Sequence, residues 1–305
     1  MSMSAASRDW ESTFSTWTGA PSDSEQERYE RTRNAISQAL DAHGEFGDAQ
    51  ISVYAKGSYP NRTNVVRDSD VDIAVEMTSI LTLDYEHDAT GMTLHDFGIT
   101  PYSGGYDYRD LKNDVERAMV AGFGRSAVSR GNVAIHTRES RESLAADVVP
   151  CTSHRVYVSR YGRHFDGIEL HPDRGAPIAN FPAQHLTEGT RKNTRTSKRY
   201  KRSVRILKRL ENEMVAENII KVVPSFLIES AARNVDDYRF AGATSWTEIV
   251  RRVITDVYVA TEDDESCSNF LEANGIKLLF GSHQSWTREE LNHFLLMAWR
   301  YVGFS

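Results

Sequence analysis

Three aspartates of this 305-residue chain lie where the sequence predicts strands, and their spacing could support metal chemistry. Asp70 and Asp72 are two residues apart at the start of a Val- and Ile-rich segment, so we expect both side chains on one face of a sheet. Asp147 stands alone in the Val-rich segment LAADVVP, which predicts a third carboxylate on a neighbouring strand. Carboxylates this close repel one another unless a cation lies between them. Two divalent ions held there could clamp the attacking and leaving oxygens of a phosphoryl transfer.

A glycine and a serine precede the aspartate pair. Gly57-Ser58 ends a predicted strand, and eleven residues separate it from Asp70. Glycine lets the backbone approach a phosphate closely, and a serine hydroxyl and neighbouring N–H groups can donate to phosphate oxygens. An Asp-x-Asp pair alone is usually a solvated loop feature, and Gly-Ser alone is usually an ordinary turn. Their combination, with a later lone aspartate, favours a triphosphate site.

Positive charge is concentrated in one segment of an acidic chain. Residues 191–209 contain ten Lys or Arg and no acid, whereas the formal net charge of the chain is −7. Within a predicted helix over 194–214, four cations share one face: Lys198, Lys201, Arg205 and Lys208. A solvated face is the usual fate of such a charge run. Beside a predicted nucleotide site we interpret Lys201 as a phosphate-binding residue and leave the other three open.

Asn193 directly precedes that predicted helix, and two interpretations of it stay open. Its amide carries both a donor and an acceptor, so it could pair with the edge of a bound uracil or cytosine. Asparagine is also a favoured N-cap, and the position fits this role equally well. The first interpretation makes Asn193 a nucleotide-binding residue, and the second makes it structural.

The composition of the whole chain is that of a globular protein, with 40% hydrophobic and 26% charged residues. The net charge of −7 disfavours a protein that grips long nucleic acid. No apolar run reaches the about 18 residues of a membrane span, and the N-terminus lacks the layout of a secretory signal. Cys151 and Cys267 give neither a disulfide framework nor a zinc site. We therefore predict a cytoplasmic protein without a membrane partner or a long nucleic-acid partner. Four histidines that we considered form no ligand pattern: His87, His95, His136 and His283.

The pattern of elements predicts an α+β fold in two parts. Residues 1–180 carry a helix over 22–43, a helix over 109–121 and a set of strands. The predicted strand segments are 51–58, 71–77, 132–138 and 143–151, the last ended by Pro150, followed by a hairpin over 156–170. Residues 181–305 are mainly helical, because Gly and Pro become rare there. The predicted helices of this part are 194–214, 224–234, 244–260 and 287–302.

These motifs resemble the polymerase-β type of nucleotidyltransferase, whose signature is Gly-Ser, Asp-x-Asp and a distant third Asp. More narrowly, they resemble the bacterial CD-NTases, the cGAS/DncV-like nucleotidyltransferases of CBASS antiphage signalling. The matching segments are KGSYPNRTNVVRDSDVDIAVE, ADVVP, KNTRTSKRYKRSVRILKRL and VPSFLIESAARNV, within residues 20–235. The resemblance implies a mixed sheet that carries the carboxylates and a helical lobe, as in oligoadenylate synthetase. Residues 1–180 would be the nucleotidyltransferase core with its N-terminal helix, and residues 181–305 the lobe that closes the nucleotide cleft.

The resemblance also implies roles for individual residues. Asp70, Asp72 and Asp147 would be catalytic and hold two Mg²⁺ ions, with Mn²⁺ as an alternative, and Gly57 and Ser58 would contact the triphosphate. ATP or other NTPs would be the substrates. The product would be a cyclic di- or trinucleotide second messenger that a separate effector protein reads.

Two other functions are compatible with the same motifs. One is a nucleotidyltransferase that modifies tRNA or protein, as some toxins do, although the acidic charge balance disfavours tRNA. The other is a nucleotide sensor without turnover, which would have no need for three intact carboxylates. The sequence therefore favours the cyclic nucleotide synthase.

Overall fold

A computed structural model describes residues 8–44, 46–65 and 70–305. The chain forms two compact units. The sheet unit comprises residues 22–60 and 69–183, and the helical unit comprises residues 1–21, 61–68 and 184–305. This division differs from the predicted one because two N-terminal pieces belong with the later helices. Their assignment has a physical reason: Trp10, Phe14 and Trp17 pack into the helical core, and Thr63 hydrogen-bonds a buried carboxylate there.

The sheet unit is built on one mixed sheet. Its strands in the described residues are β1 (Ile51–Lys56), β2 (Val71–Tyr85), β3 (Val128–Arg130), β4 (Ile135–Thr137), β5 (Ala146–Tyr157), β6 (His164–Leu170) and β7 (Ile178–Asn180). The spatial order is β1-β2-β5-β4-β3, and β6 pairs with both β5 and β7. The β2–β5 pair is parallel and the other pairs are antiparallel. The predicted α+β class with a mixed sheet is confirmed.

Alternation along β2 decides which side chains face the protein core. Val71, Ile73, Val75 and Met77 are fully buried and pack against two helices, α2 (Asp23–His43) and α4 (Tyr108–Phe123). Because successive strand residues point to opposite faces, Asp72 lies on the other face of the sheet. The apolar face therefore holds the strand in place and presents the carboxylate away from the helices.

The structure corrects the predicted end of β5. This strand continues through Pro150, which pairs with Val75, and runs to Tyr157. On its other edge, β5 pairs with β4 up to Val148 and with β6 only from Thr152. Pro150 lies in the gap between these two partners, where a missing N–H does not break a ladder.

The helical unit combines one helix from the start of the chain with the helices of its second half. Its helices are α1 (Trp10–Trp17), α5 (Pro182–Arg195), α6 (Arg199–Ala216), α7 (Ser225–Arg233), α8 (Asp237–Phe240), α9 (Trp246–Ala260) and α10 (Arg288–Val302). Outside this list, a short helix, α3 (Ser58–Asn61), directly follows Gly57 at the end of β1. The predicted single helix over 194–214 is wrong. Ser197 and Lys198 have φ values of 51° and 65°, which a right-handed helix cannot accommodate, so α5 ends and α6 begins there. Among the described residues, none of the helices is long and apolar enough to cross a lipid bilayer.

Candidate active site

The register of four adjacent strands places four ionisable side chains in one line. Lys56 on β1 pairs with Asp72 on β2, Asp72 pairs with Asp147 on β5, and Asp147 pairs with His136 on β4. Residues directly opposite one another on neighbouring strands share a face, and neighbouring strands lie about 4.8 Å apart. We call these four residues the carboxylate row. The structure thus brings Asp72 and Asp147 together.

Gly57 makes room for the carboxylate of Asp72. Gly57 has a φ of +75°, which disfavours any residue with a side chain. A Cβ at this position would lie 2.2 Å from Asp72 Oδ2, which no real contact permits. The Lys56 Nζ lies 3.7 Å from the other oxygen, Asp72 Oδ1. The sequence suggested that glycine here admits a phosphate; in the structure it admits the carboxylate itself.

Asp147 is held by His136, a residue that belongs to no ligand pattern in the sequence. His136 Nδ1 lies 2.5 Å from Asp147 Oδ1, and the two side chains are 47% and 27% exposed. An ionised carboxylate only accepts, so the imidazole Nδ1–H donates this bond. The two side chains meet because β4 pairs with β5. The sequence alone does not indicate which strands pair, so it could not predict this contact.

The other predicted residues of this site lie at the ends of the same strands. Asp70 is exposed and immediately precedes β2, whose first backbone N–H, that of Val71, donates to Ala145 O. Ser58 begins α3 directly after Gly57 and is half-buried. All of the predicted metal and Gly-Ser positions therefore belong to the sheet unit.

The residues of this site fit a divalent metal in type. Mg²⁺ prefers carboxylate oxygens, and Asp72 and Asp147 offer them from neighbouring positions with side chains 32% and 27% exposed. In the described parts of the chain, however, no three or more His, Cys, Asp or Glu side chains are already grouped as a metal site. Asp72 contacts Lys56 on β1, and Asp147 contacts His136 on β4. The two carboxylates are accessible, and each already contacts a neighbouring side chain of the row.

A second cluster of charges lies inside the helical unit. Glu229 on α7 accepts hydrogen bonds from Thr63 Oγ1 at 2.7 Å and Lys208 Nζ at 3.2 Å, and its Oε1 lies 2.8 Å from His185 Nε2. We call these four residues the Glu229 network. Burial acts to raise the pKa of Glu229, but the charges of Lys208 and His185 outweigh it and hold that pKa well below its ordinary range. The carboxylate is therefore ionised and fully committed to neighbours within the unit.

The Glu229 network changes the interpretation of the basic helix. Lys208 is paired with Glu229, and both side chains are 2% exposed. Arg205 is buried and donates to the backbone oxygens of Thr18 and Arg62. Lys198 lies before the first turn of α6 and is exposed. The four cations thus do not form a solvated face, and two of them serve the fold.

Lys201 differs from its neighbours on α6. It is 8% exposed, and burial lowers the pKa of its ammonium group. Within residues 8–44, 46–65 and 70–305 it forms no salt bridge, although Glu229 is near enough to favour its charged form. A buried ammonium group is costly without a paired anion. Among the four cations of the predicted basic face, Lys201 is buried and forms no salt bridge within the described residues.

Asn193 lies in the last turn of α5 and not at the start of a helix over 194–214. Its Oδ1 accepts a hydrogen bond from the backbone N–H of Lys201 at 3.2 Å, and its carbonyl accepts from the Lys198 N–H at 2.7 Å. The side chain therefore satisfies one of the first N–H groups of α6 from the preceding helix. Asn193 thus caps α6 from the last turn of α5.

Comparison with known proteins identifies the family. Residues 187–303 match the cGAS/DncV-like nucleotidyltransferase C-terminal helical domain. The chain is 33% identical to the cyclic dipyrimidine nucleotide synthase CdnE of Cecembia lonarensis over 296 residues, which are 96% of this chain and 98% of that protein. It is 36% identical to the protein of the same name from Legionella pneumophila over 297 residues, again 96% of this chain and 98% of the relative.

A solved structure agrees with these relatives. The Rhodothermus marinus CdnE c-UMP-AMP synthase, solved with Apcpp and Upnpp, superposes with a TM-score of 0.81 at 27% identity over 97% of each chain. The fold and the family model thus define a nucleotidyltransferase. The chain belongs to the cGAS/DncV-like nucleotidyltransferase (CD-NTase) family, and the predicted resemblance is confirmed.

Proposed function

We propose that this protein is a metal-dependent cyclic nucleotide synthase that joins two or three NTPs and releases one pyrophosphate for each bond formed. The hydroxyl of one nucleotide attacks the α-phosphate of another, the bond to pyrophosphate breaks, and the hydroxyl proton is lost. A second such step closes the ring of a dinucleotide. The observation that carries the proposal is the register of Asp72 with Asp147 on parallel strands. It is supported by the names of the relatives, which are cyclic nucleotide synthases.

The carboxylates of Asp70, Asp72 and Asp147 would hold two divalent ions. The hard oxygen donors favour Mg²⁺, with Mn²⁺ as an alternative. Ions bound there stabilise the charge that develops on the transferred phosphoryl group and its leaving oxygen. Gly57 keeps the Asp72 carboxylate close to the backbone, and Ser58 follows it with a hydroxyl that can donate to a triphosphate oxygen.

Lys201 is the residue of the helical unit that we assign to the triphosphate. Its ammonium group is buried and forms no salt bridge among the described residues, so an incoming phosphate would supply the missing counter-charge. A charge-assisted hydrogen bond of this kind contributes about 1.5–3 kcal/mol. The neighbouring Lys208 is excluded from this role because Glu229 already neutralises it.

We further propose that at least one substrate is a pyrimidine nucleotide. Two relatives that match nearly the whole chain are named dipyrimidine nucleotide synthases. Asn193 is our candidate for reading the base: with Oδ1 engaged by the Lys201 N–H, its amide nitrogen would donate to an acceptor on uracil or cytosine. The product would act in the cytoplasm on a separate effector protein in antiphage defence.

Product analysis tests this function. The purified protein is incubated with Mg²⁺ and all four NTPs, and the products are treated with phosphatase and identified by mass spectrometry. We expect pyrophosphate and a phosphatase-resistant cyclic product, because a closed ring has no terminal phosphate. Transfer of a nucleotide to added tRNA or protein, or tight NTP binding without pyrophosphate release, would overturn the proposal.

A further inference from the structure

The carboxylate row ends in a histidine on β4. His136 is directly opposite Asp147, on the strand beyond it, and donates to its Oδ1. The row therefore has a cation-capable side chain at each end, Lys56 next to Asp72 and His136 next to Asp147. The two carboxylates lie between them.

A glycine accommodates the histidine ring. Gly131 directly follows β3, in the turn to β4, and a Cβ at this position would be 2.3 Å from His136 Nε2 and 2.9 Å from its Cδ2. The ring therefore occupies space that only a glycine leaves open. The backbone of Gly131 is itself fixed to the hairpin, since its N–H donates to Ala134 O at 2.8 Å. Position 131 thus determines where the imidazole can lie.

We propose that His136 is a positioning residue for the metal ligand Asp147, an inference that rests on the proposed function. The Nδ1–H fixes Oδ1 and so orients the carboxylate, which leaves Oδ2 to face the neighbouring Asp72 and a bound ion. A carboxylate has lone pairs on both oxygens, so one oxygen can accept from His136 while the other binds metal. Groups that orient metal ligands in this way typically change metal affinity or activity by about 10–100-fold.

The test compares three variants by a direct binding measurement. Mn²⁺ affinity is measured by electron paramagnetic resonance in the presence of a non-hydrolysable ATP analogue, and the Mg²⁺ concentration for half-maximal activity is measured in parallel. His136→Ala should weaken Mn²⁺ binding about 10–100-fold. His136→Asn should largely restore it, because the asparagine Nδ2 takes the place of Nδ1. Ser129→Ala is the control, because Ser129 is exposed and lies opposite His136 on the neighbouring strand. This variant should bind Mn²⁺ as the wild type does.

Gly131→Ala tests the geometry separately. Its methyl group would meet the imidazole at 2.3 Å and the Ala134 carbonyl oxygen at 3.0 Å, so it should weaken Mn²⁺ binding more in the wild type than in the His136→Ala background. An equal cost in both backgrounds would mean that the effect does not pass through the ring and would count against the inference. Thermal unfolding of each variant confirms that the affinities are compared between folded proteins.

The outcomes separate this inference from the proposed function. If Asp147→Asn abolishes Mn²⁺ binding while His136→Ala binds normally, the metal site stands and the positioning role of His136 is wrong. If Asp147→Asn leaves Mn²⁺ binding unchanged, the proposed metal site itself is wrong, and the inference fails with it. Loss of binding in both variants, with rescue by His136→Asn, supports both.

Discussion

Acidic side chains meet Lys and His side chains in two regions of this chain, the carboxylate row of the sheet unit and the Glu229 network of the helical unit. In the row, Asp72 and Asp147 are about one-third and one-quarter exposed, and the strand pairing gives each one cation-capable neighbour. In the network, Glu229 is 2% exposed and contacts Thr63, Lys208 and His185. The same chemical groups therefore occur in two different environments.

The difference separates groups that can bind a ligand from groups that hold the fold together. An exposed carboxylate loses little when it exchanges one partner for another, because surface ion pairs contribute only about 0–1 kcal/mol. A buried carboxylate cannot lose a partner cheaply, since the remaining charge would be left uncompensated in the interior. We therefore expect changes in the row to affect catalysis and changes in the network to affect stability.

The largest expected effect is the loss of catalysis in Asp70→Asn and Asp72→Asn. Each change removes a carboxylate that we propose as a metal ligand, so product formation should fall below a few per cent of the wild-type rate. The thermal unfolding temperature should stay near the wild-type value, because Asp70 is exposed and the Asp72–Lys56 contact is long, at 3.7 Å. Product formation and unfolding are measured on the same preparations.

Asp166→Asn is the matched control for these variants. Asp166 is an exposed acid of the same sheet, on β6, and pairs with Arg155. Its change should leave product formation near the wild-type rate. Substantial activity in both Asp70→Asn and Asp72→Asn would refute the metal-ligand assignment.

Glu229→Gln should have the largest effect on stability. It leaves Lys208 buried without a counter-charge, so we expect a loss of about 3–5 kcal/mol in the free energy of unfolding, measured by urea denaturation. Glu213→Gln is the control, because Glu213 pairs with Arg8 on the surface at 2.7 Å with side chains 33% and 32% exposed. This control should cost no more than about 1 kcal/mol. Similar losses in the two variants would remove the distinction between the regions.

The contribution of Glu229 to the free energy of unfolding should decrease as the pH falls. Its pKa is lowered in the folded state, so the unfolded chain binds more protons at acidic pH. The contribution is complete above the unfolded pKa of about 4.3 and is lost as the pH falls below it. The difference in unfolding free energy between the wild type and Glu229→Gln should therefore narrow below about pH 4. A constant difference down to pH 3 would contradict the assigned ion pair.

Lys201→Ala should have a smaller and purely functional effect. If its ammonium group meets a phosphate, its loss should raise the KM for NTPs about 10-fold or more, in line with about 1.5–3 kcal/mol for a charge-assisted contact. Ser225→Ala at the start of α7 is the control and should leave KM unchanged. Equal KM values in the two variants would show that Lys201 does not bind substrate.

Asn193→Ser is expected to have the smallest effect on stability and a qualitative effect on base choice. Serine is shorter and would weaken the bond to the Lys201 N–H, at a cost of about 0.5–1 kcal/mol for one hydrogen bond. If the amide nitrogen reads a base, incorporation in a competition of the four NTPs should shift from UTP or CTP toward ATP or GTP. An unchanged preference would leave Asn193 with a capping role only.

The sequence predicted the parts of the molecule that depend on local patterns. The helix over 22–43 is confirmed, with Ser22 accepting from the Glu25 N–H at 3.3 Å and Gly44 in the left-handed region. The alternation in β2 correctly separated Asp72 from the buried Val71 and Ile73. These features follow from capping and strand periodicity, which a sequence displays directly.

Features that depend on long-range pairing could not be predicted. His136 reaches Asp147 only because β4 pairs with β5, and Glu229 meets Thr63 across 166 residues of sequence. The break between α5 and α6 was missed because Ser197 and Lys198 adopt positive φ without a glycine to indicate it. The sequence predicted one continuous basic face over Lys198, Lys201, Arg205 and Lys208. Two of these residues instead bind groups of the fold, because Lys208 contacts Glu229 and Arg205 donates to backbone oxygens.

The central claim is that the carboxylate row, and not the Glu229 network, holds the metal ions. The most direct measurement is the number of Mn²⁺ ions bound per chain in the presence of a non-hydrolysable NTP analogue, for the wild type, Asp72→Asn and folded Glu229→Gln. Two ions in the wild type and in Glu229→Gln, with fewer than two in Asp72→Asn, is the result that we predict. Two ions bound with wild-type affinity in Asp72→Asn would contradict the account.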